Sequence, residues 1–279
     1  MGKKKRTVSI IIFICLIAVL ITGIILTGTN GNEEEPIKTV MRDAVLHDWS
    51  QISLFGIINV NPGVISAFTV TAILFIFSLF VRIFIIPRFK KIPGKFQMLL
   101  EQAVSLFDGL AKSNSPHRNG FLGAYVFTAG AYIFIGTLFE LFGFQAVTTS
   151  GHSISLPAPL SDINGAIAMG LMSYAVILSG GIVGNKLRGV GNTLKDFSLP
   201  ISMSFRLFGA LLSGALVTEL VYYYASMNYV IPVLVGVMFT LLHALIQTYV
   251  LTMLTALFYG EVSEQHPKKP KKAKKKKTA

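Results

Sequence analysis

Runs of about twenty apolar residues alternate with short polar segments along most of this chain. The runs cover residues 8–28, 63–87, 120–144, 163–184, 199–226 and 229–259, and each carries few or no charges. A helix rises about 1.5 Å per residue, so about 20 residues cross a hydrocarbon layer about 30 Å thick. Inside that layer the backbone must satisfy its own hydrogen bonds, which predicts α-helices. The fold class expected is an all-α membrane protein with five to six spans. The count depends on residues 1–28, which read as an N-terminal transmembrane anchor or a cleaved leader. The length of the apolar stretch favours the anchor.

Between the spans the pattern changes character. Residues 29–62 read as an extracytoplasmic amphipathic segment carrying Glu33, Glu34 and Glu35, with Trp49 and Phe55 suited to an interface. Residues 96–112 alternate as an amphipathic helix lying on the surface, and residues 145–160 read as a short loop. Residues 63–264 form the main membrane domain, and residues 265–279 a disordered, Lys-rich tail.

Composition agrees with this reading: 52% of 279 residues are hydrophobic and the mean hydropathy is +0.63. The net charge of +12 is unevenly placed, since eight lysines fall in the final dozen residues. With the N-terminus in the cytoplasm, the loops with Arg88 to Lys95 and Lys186 to Lys195, and the tail, all fall inside. Only Lys38 and Arg42 fall outside. The positive-inside rule is therefore obeyed at every turn. The lysine tail suits anionic lipids at about 1 kcal/mol per residue. It lacks the aromatic interleaving of a single-strand nucleic-acid binder, and no nucleic-acid partner is expected. Cys15 is the only cysteine, which excludes an intramolecular disulfide and a cysteine metal cluster. Phosphate loops, nucleophile triads and metal spacings are absent from the sequence, so neither a cofactor nor an enzymatic activity is expected of this chain alone.

The remaining information lies in the polar groups at membrane depth. These are Glu140, Asp162 near an outer end, Arg206, Glu219 and His243, with Asn164, Ser202, Ser204 and Gln247 adding polarity. Arg206 stands out because a guanidinium keeps its proton. At the bilayer centre it costs from roughly 3 to more than 10 kcal/mol. One permanent cation among protonatable groups is what an ion path requires, with the cation as barrier and carboxylates and imidazole as stepping stones. The structural alternative is polar glue between helices, or a buried Arg–Glu pair. If the last two spans turn near Ser226 and Met227, Arg206 and Gln247 share a depth and His243 lies near Ala210. Glu219 then stands thirteen residues beyond Arg206, about 20 Å toward the outside. Gly209 and Gly214 would let the Arg206 helix approach a neighbour closely.

The segment Pro200-Ile201-Ser202-Met203-Ser204-Phe205-Arg206-Leu207-Phe208-Gly209 resembles the hallmark of subunit a of F-type ATP synthases. Gln247 followed by Tyr259, Glu261 and Glu264, and the outer pattern Pro159, Asp162, Asn164, are similar to further family motifs. The resemblance runs from about residue 63 to residue 264. It implies an ion-translocating, non-catalytic stator subunit of a bacterial plasma (inner) membrane complex, with a cytoplasmic C-terminus. Its partners would be c-ring subunits, b-type peripheral stalk subunits and the rest of the synthase. The last two helices would form a hairpin facing the c-ring. Arg206 would meet the ring carboxylate and block a short circuit between two half-channels, with Gln247 orienting it. Glu219, His243, Asp162, Asn164 and Glu140 would line the outer half-channel, and Ser202 the other.

The sequence departs from the family pattern at four positions. Ala210 stands where Asn is usual and Ala215 where a channel glutamate is often found, with Glu219 one turn further along the same face. Thr240 replaces the usual histidine, with His243 one turn nearer the glutamine. Glu140 stands where Asn is common. Two other readings follow from the same residues: a secondary transporter binding an anionic substrate at Arg206, and a scaffold that works through its basic tail.

Overall fold

The computed structural model describes residues 14, 15, 18 and 22, 52–54, 58–117, 119–147, 153–223 and 231–264. Among them the chain is helical throughout its apolar runs. The elements, in order, are β1 (Ile52–Leu54), β2 (Ile58–Val60), α1 (Pro62–Phe80), α2 (Lys95–Asn114), α3 (Gly120–Phe139), β3 (Gln145–Val147), β4 (Ser153–Ser155), α4 (Ile163–Lys195), α5 (Ser198–Tyr223) and α6 (Ile231–Ser263). Among the described residues, five helical stretches are long and apolar enough to cross a membrane: Pro62–Arg88, Gly120–Phe142, Ile163–Lys186, Ser198–Thr218 and Val233–Ser263. These are the five spans expected beyond residue 28. The anchor-or-leader run, Trp49, Phe55, the turn near Ser226 and the lysine tail lie outside the described residues.

Local chemistry sets the helix ends. Asn61 caps α1 by accepting from the backbone N–H of Gly63 at 3.0 Å, and Pro62 takes the first helical position, where no N–H is needed. The helix runs on through a π turn at Val81–Ile85 and a 3-10 turn at Ile86–Arg88, which takes it past Pro87.

The described residues form two compact units. The first draws on Met1–Arg88, Ala131–Ala168 and Ser204–Tyr249. Its core is Val70, Phe139 and Leu156, with Ile65, Leu74, Tyr132, Ile135 and Ala146 packed around them. Here the segment expected as a plain loop pairs β3 with β4 antiparallel, Ala146 opposite Ile154. Leu156 then donates its N–H to Phe144 O at 2.7 Å. Phe139 stacks on Phe144 at 4.9 Å, which holds the hairpin on the core. Strands β1 and β2 pair in the same way, Ser53 opposite Asn59.

The second unit draws on Phe89–Gly130, Met169–Met203 and Val250–Ala279. The amphipathic segment is helical there: α2 sets Phe107 edge-on to Phe127 at 5.8 Å and leaves Phe96, Leu99 and Leu106 exposed. Residues 187–195, expected as part of a basic loop, are helical. At Lys186 the backbone turns left-handed (φ 54°, ψ −136°) and reverses α4, so that Gly189 lies directly on the carbonyl of Gly181. A side chain at Gly189 would occupy that carbonyl. Tyr174 closes the reversal by donating to Thr193 O at 2.9 Å. This turn has little hydrophobic period to announce it, because glycine contacts rather than an apolar stripe hold it together.

Candidate functional site

Arg206 lies on α5 among apolar residues and is exposed, beside exposed Phe205 and Ile201. Among the described residues it makes no hydrogen bond and no ion pair. The opposite face of the same helix buries Met203, Leu207 and Leu211. The spacing of those three, four residues apart, sets which face turns inward. Arg206, immediately before Leu207, is thereby turned away from the packed side. Ser202, four residues earlier, is exposed as well and belongs to the second unit. A permanent cation on an otherwise apolar helix surface, with no partner among the described residues, is costly in a bilayer.

Gln247 on α6 is 5% exposed, and its Oε1 is buried without a hydrogen-bond partner. It makes no hydrogen bond to Arg206 in this arrangement. His243, one turn earlier on α6, is half-buried and meets Gly214 of α5. A Cβ built on Gly214 would stand 3.2 Å from His243 Nδ1. Equal depth to the turn placed His243 near Ala210, one turn away from that contact. The offset has a simple origin: a helical side chain leans back over the turn before it. Accordingly the imidazole lies toward Phe239, with ring centroids 5.9 Å apart, and reaches Gly214. Glu219 follows Gly214 on α5 by five residues, an advance of about 7.5 Å along the axis.

Asp162 precedes α4 and caps it, with Oδ1 accepting from the Asn164 N–H at 2.7 Å. Its other oxygen, Oδ2, is buried with no hydrogen-bond partner. Asn164 is exposed. Glu140 is exposed in a 3-10 turn, Glu140–Phe142, at the end of α3. Seven of the eight candidate residues, all except Ser202, thus fall in the first unit. Among the described residues, no three His, Cys, Asp or Glu side chains gather as a metal cluster would require.

Two neighbours of Asp162 escape sequence reasoning. Asn61 and Gly63 read only as the start of a helix, an Asn-Pro-Gly cap. A Cβ on Gly63 would nevertheless lie 3.0 Å from Asp162 Cβ and 3.4 Å from Oδ2. No local pattern links residues so far apart in the chain.

Comparison with known proteins bears on this arrangement directly. Residues 64–260 match the model of the family described as ATP synthase A chain. The chain is 27% identical over 233 residues to ATP synthase subunit a of Histophilus somni (strain 2336), covering 73% of this chain and 86% of that protein. It is 28% identical over 185 residues to ATP synthase subunit a of Acidothermus cellulolyticus, covering 61% and 65%. To ATP synthase subunit a of Cereibacter sphaeroides (strain ATCC 17029) it is 25% identical over 188 residues, covering 63% and 72%. The matched stretch takes in the five apolar helices almost end to end and holds all eight polar candidates. The chain therefore belongs to the ATP synthase A chain family.

Proposed function

We propose that this chain is the ion-translocating stator subunit of a bacterial F-type ATP synthase, forming two half-channels against the rotating c-ring. One observation carries the proposal: Arg206 is exposed on an apolar helix and has no partner among the described residues of its own chain. A charge so placed is favourable only if a carboxylate on another chain comes to it. In the proposed cycle a ring carboxylate arrives carrying a proton. Arg206 stabilises the anion that remains when the proton leaves, and its fixed charge stops ions leaking straight between the two aqueous faces. Gln247 stands one turn from His243 on the same helix and offers a buried acceptor oxygen near this exchange.

Glu219, His243, Asp162, Asn164 and Glu140 line the half-channel on the extracytoplasmic side, and Ser202 borders the cytoplasmic one. Residues 63–264 are the working membrane domain, residues 1–28 an anchor or leader, and residues 29–62 an extracytoplasmic segment. Residues 265–279 form a cytoplasmic tail that associates with anionic lipids. The b-type stalk subunits hold the chain still while the ring turns. ATP chemistry belongs to other subunits of the complex.

The test is Arg206→Ala in the complete synthase reconstituted into sealed vesicles. Ion-driven ATP synthesis is expected to disappear while the subunit still assembles. Full retention of coupled synthesis would overturn the proposal.

A further inference from the structure

The turn that leads into α2 is tied at its base by one side chain. Gln97 Oε1 accepts from the Lys90 N–H at 3.1 Å, and Gln97 Nε2 donates to Lys90 O at 3.0 Å. Nε2 also donates to Glu101 Oε1 at 2.7 Å, one turn further along α2. A carboxylate only accepts, so Glu101 fixes which end of the amide faces which group. Both bonds to Lys90 go to its backbone, and its ammonium stays outside the clamp.

The clamped segment presents Lys90, Lys91, Ile92 and Lys95, all exposed. Ile92, at the tip, is 87% exposed. Phe96 and Leu99 continue the apolar surface onto α2, with Lys95 one turn from Leu99 on the same side. The segment buries little, so packing within it does not explain the order that Gln97 imposes. No acidic residue occurs in the sequence between Asp48 and Glu101, which leaves the segment wholly basic.

Connectivity keeps this surface at the edge of the bilayer. The span Pro62–Arg88 ends two residues before Lys90. A residue reaches at most about 3.6 Å, so Lys90 stays within about 7 Å of the end of the span. Three ammonium groups around an exposed isoleucine match the boundary of an anionic leaflet, where phosphate and hydrocarbon lie within one side-chain length of each other. An acidic protein segment would meet the lysines but would leave Ile92 and Leu99 without apolar partners.

We propose that residues 90–99 form a binding surface for anionic phospholipid. Lys90, Lys91 and Lys95 take the headgroup phosphates, and Ile92 and Phe96 enter among the acyl chains. Gln97 is the positioning residue, because its clamp presents the lysines and Ile92 together. The ion route past Arg206 plays no part in this binding.

The test uses the complete synthase in vesicles, with Ile92→Cys in this chain and Cys15→Ser to remove its only native cysteine. A charged, membrane-impermeant maleimide is present on both faces, and its rate of attachment is read on this subunit's band after gel separation. Vesicles of mixed phosphatidylglycerol and phosphatidylcholine are compared with vesicles of phosphatidylcholine alone. Each lysine near an anionic leaflet is worth about fivefold in binding, so attachment in the anionic vesicles should be at least about tenfold slower. Lys90→Gln together with Lys91→Gln should remove most of that difference. Gln97→Ala should narrow it by about threefold, as expected when a binding loop loses its preorganisation.

The lysine variant leaves the clamp intact, since the clamp uses backbone atoms, and it carries the test if Gln97→Ala fails to assemble. Equally slow attachment in both lipids would show that a protein chain covers the surface, and would overturn the proposal. So would equally fast attachment in both, the mark of a surface left in water. The full difference retained in the lysine variant would overturn the recognition of anionic lipid, and retained in Gln97→Ala it would overturn the positioning role.

Discussion

The two units of this chain differ in how far polar side chains join their helices. In the second, several do so, beside hydroxyls such as Thr128, Ser179 and Thr255 that bond back onto their own helices. Tyr125 bonds Ser173 at 2.8 Å, and His117 bonds Ser263 at 2.8 Å. The Asn185 amide donates to two carbonyls at the end of α6, Val262 O at 3.0 Å and Glu264 O at 2.7 Å. Gly180 lets the Tyr259 ring come close to its backbone. In the first unit the hydroxyls turn back onto their own helices: Ser66 to Pro62 O, Thr69 to Ile65 O, Thr137 to Ile133 O and Thr218 to Gly214 O. Meanwhile Asp162 Oδ2 and Gln247 Oε1 are buried without a hydrogen-bond partner among the described residues, and Arg206 stands exposed. Lipid supplies no hydrophobic force between helices, so small residues and cross-helix hydrogen bonds must do the joining. Part of the second unit's polarity serves that purpose, whereas in the first Asp162 and Gln247 each keep one buried oxygen without a hydrogen-bond partner among the described residues.

That contrast can be broken most sharply at Arg206. Arg206→Ala should remove coupled synthesis by more than about 100-fold, as expected when a group acting on the transition state is lost. The amount of assembled subunit, read by immunoblot of the purified complex, should hardly change. Gly189→Ala should do the reverse. Its methyl would fall on the Gly181 carbonyl, a backbone atom that cannot step aside. The cost should exceed about 3 kcal/mol, the upper range for overpacking, and appear as loss of assembled subunit. If Gly189→Ala assembled normally, the second unit would not be the rigid partner in this comparison.

Gly214→Val sits between these extremes. The added methyls must push the His243 ring, whose Nδ1 is 3.2 Å from the Cβ position. Synthesis should fall about tenfold with assembly kept, since a ring can move where a backbone cannot. An unchanged rate would remove His243 from the route. Tyr125→Phe deletes the bond to Ser173 and should lower stability by about 0.6 to 1.7 kcal/mol, visible as a lower melting temperature in detergent and not as lost coupling. Smallest of all is Lys112→Ala. The Lys112–Asp108 pair is 60% and 41% exposed at its two side chains, and such pairs contribute about 0–1 kcal/mol. A coupling defect from either of these last two would blur the division between the units.

Much of the fold was legible in the sequence because lipid makes a simple demand. Spans 63–87, 120–144, 163–184, 199–226 and 229–259 correspond to helices α1, α3, α4, α5 and α6, with shifts of a few residues at their ends. The shifts occur where other forces take over. Glu140 ends its helix in a 3-10 turn, and α1 passes Pro87 by changing its winding. The β3–β4 hairpin and the reversal at Lys186 were not legible. One rests on Phe139 and Phe144, the other on two glycines, and neither leaves a periodic trace. The candidate site divides in the same way. Arg206, Glu140, Asp162, Glu219 and His243 announce themselves by being charged or titratable where charge is costly. Asn61 and Gly63 are ordinary residues at a helix start, and nothing but their neighbour gives them meaning.

By itself, then, the sequence determined that this chain crosses a membrane as helices, which residues are too polar to be there by chance, and through its motifs which family it joins. Each of those follows from transfer energies that depend on residue type alone. Only the tertiary structure decided that Arg206 faces outward while Gln247 faces inward, that the His243 ring reaches Gly214, and that Asp162 packs closely on Gly63 with one oxygen buried. Those outcomes depend on which helix faces meet and how far each side chain leans, and packing at close range sets both.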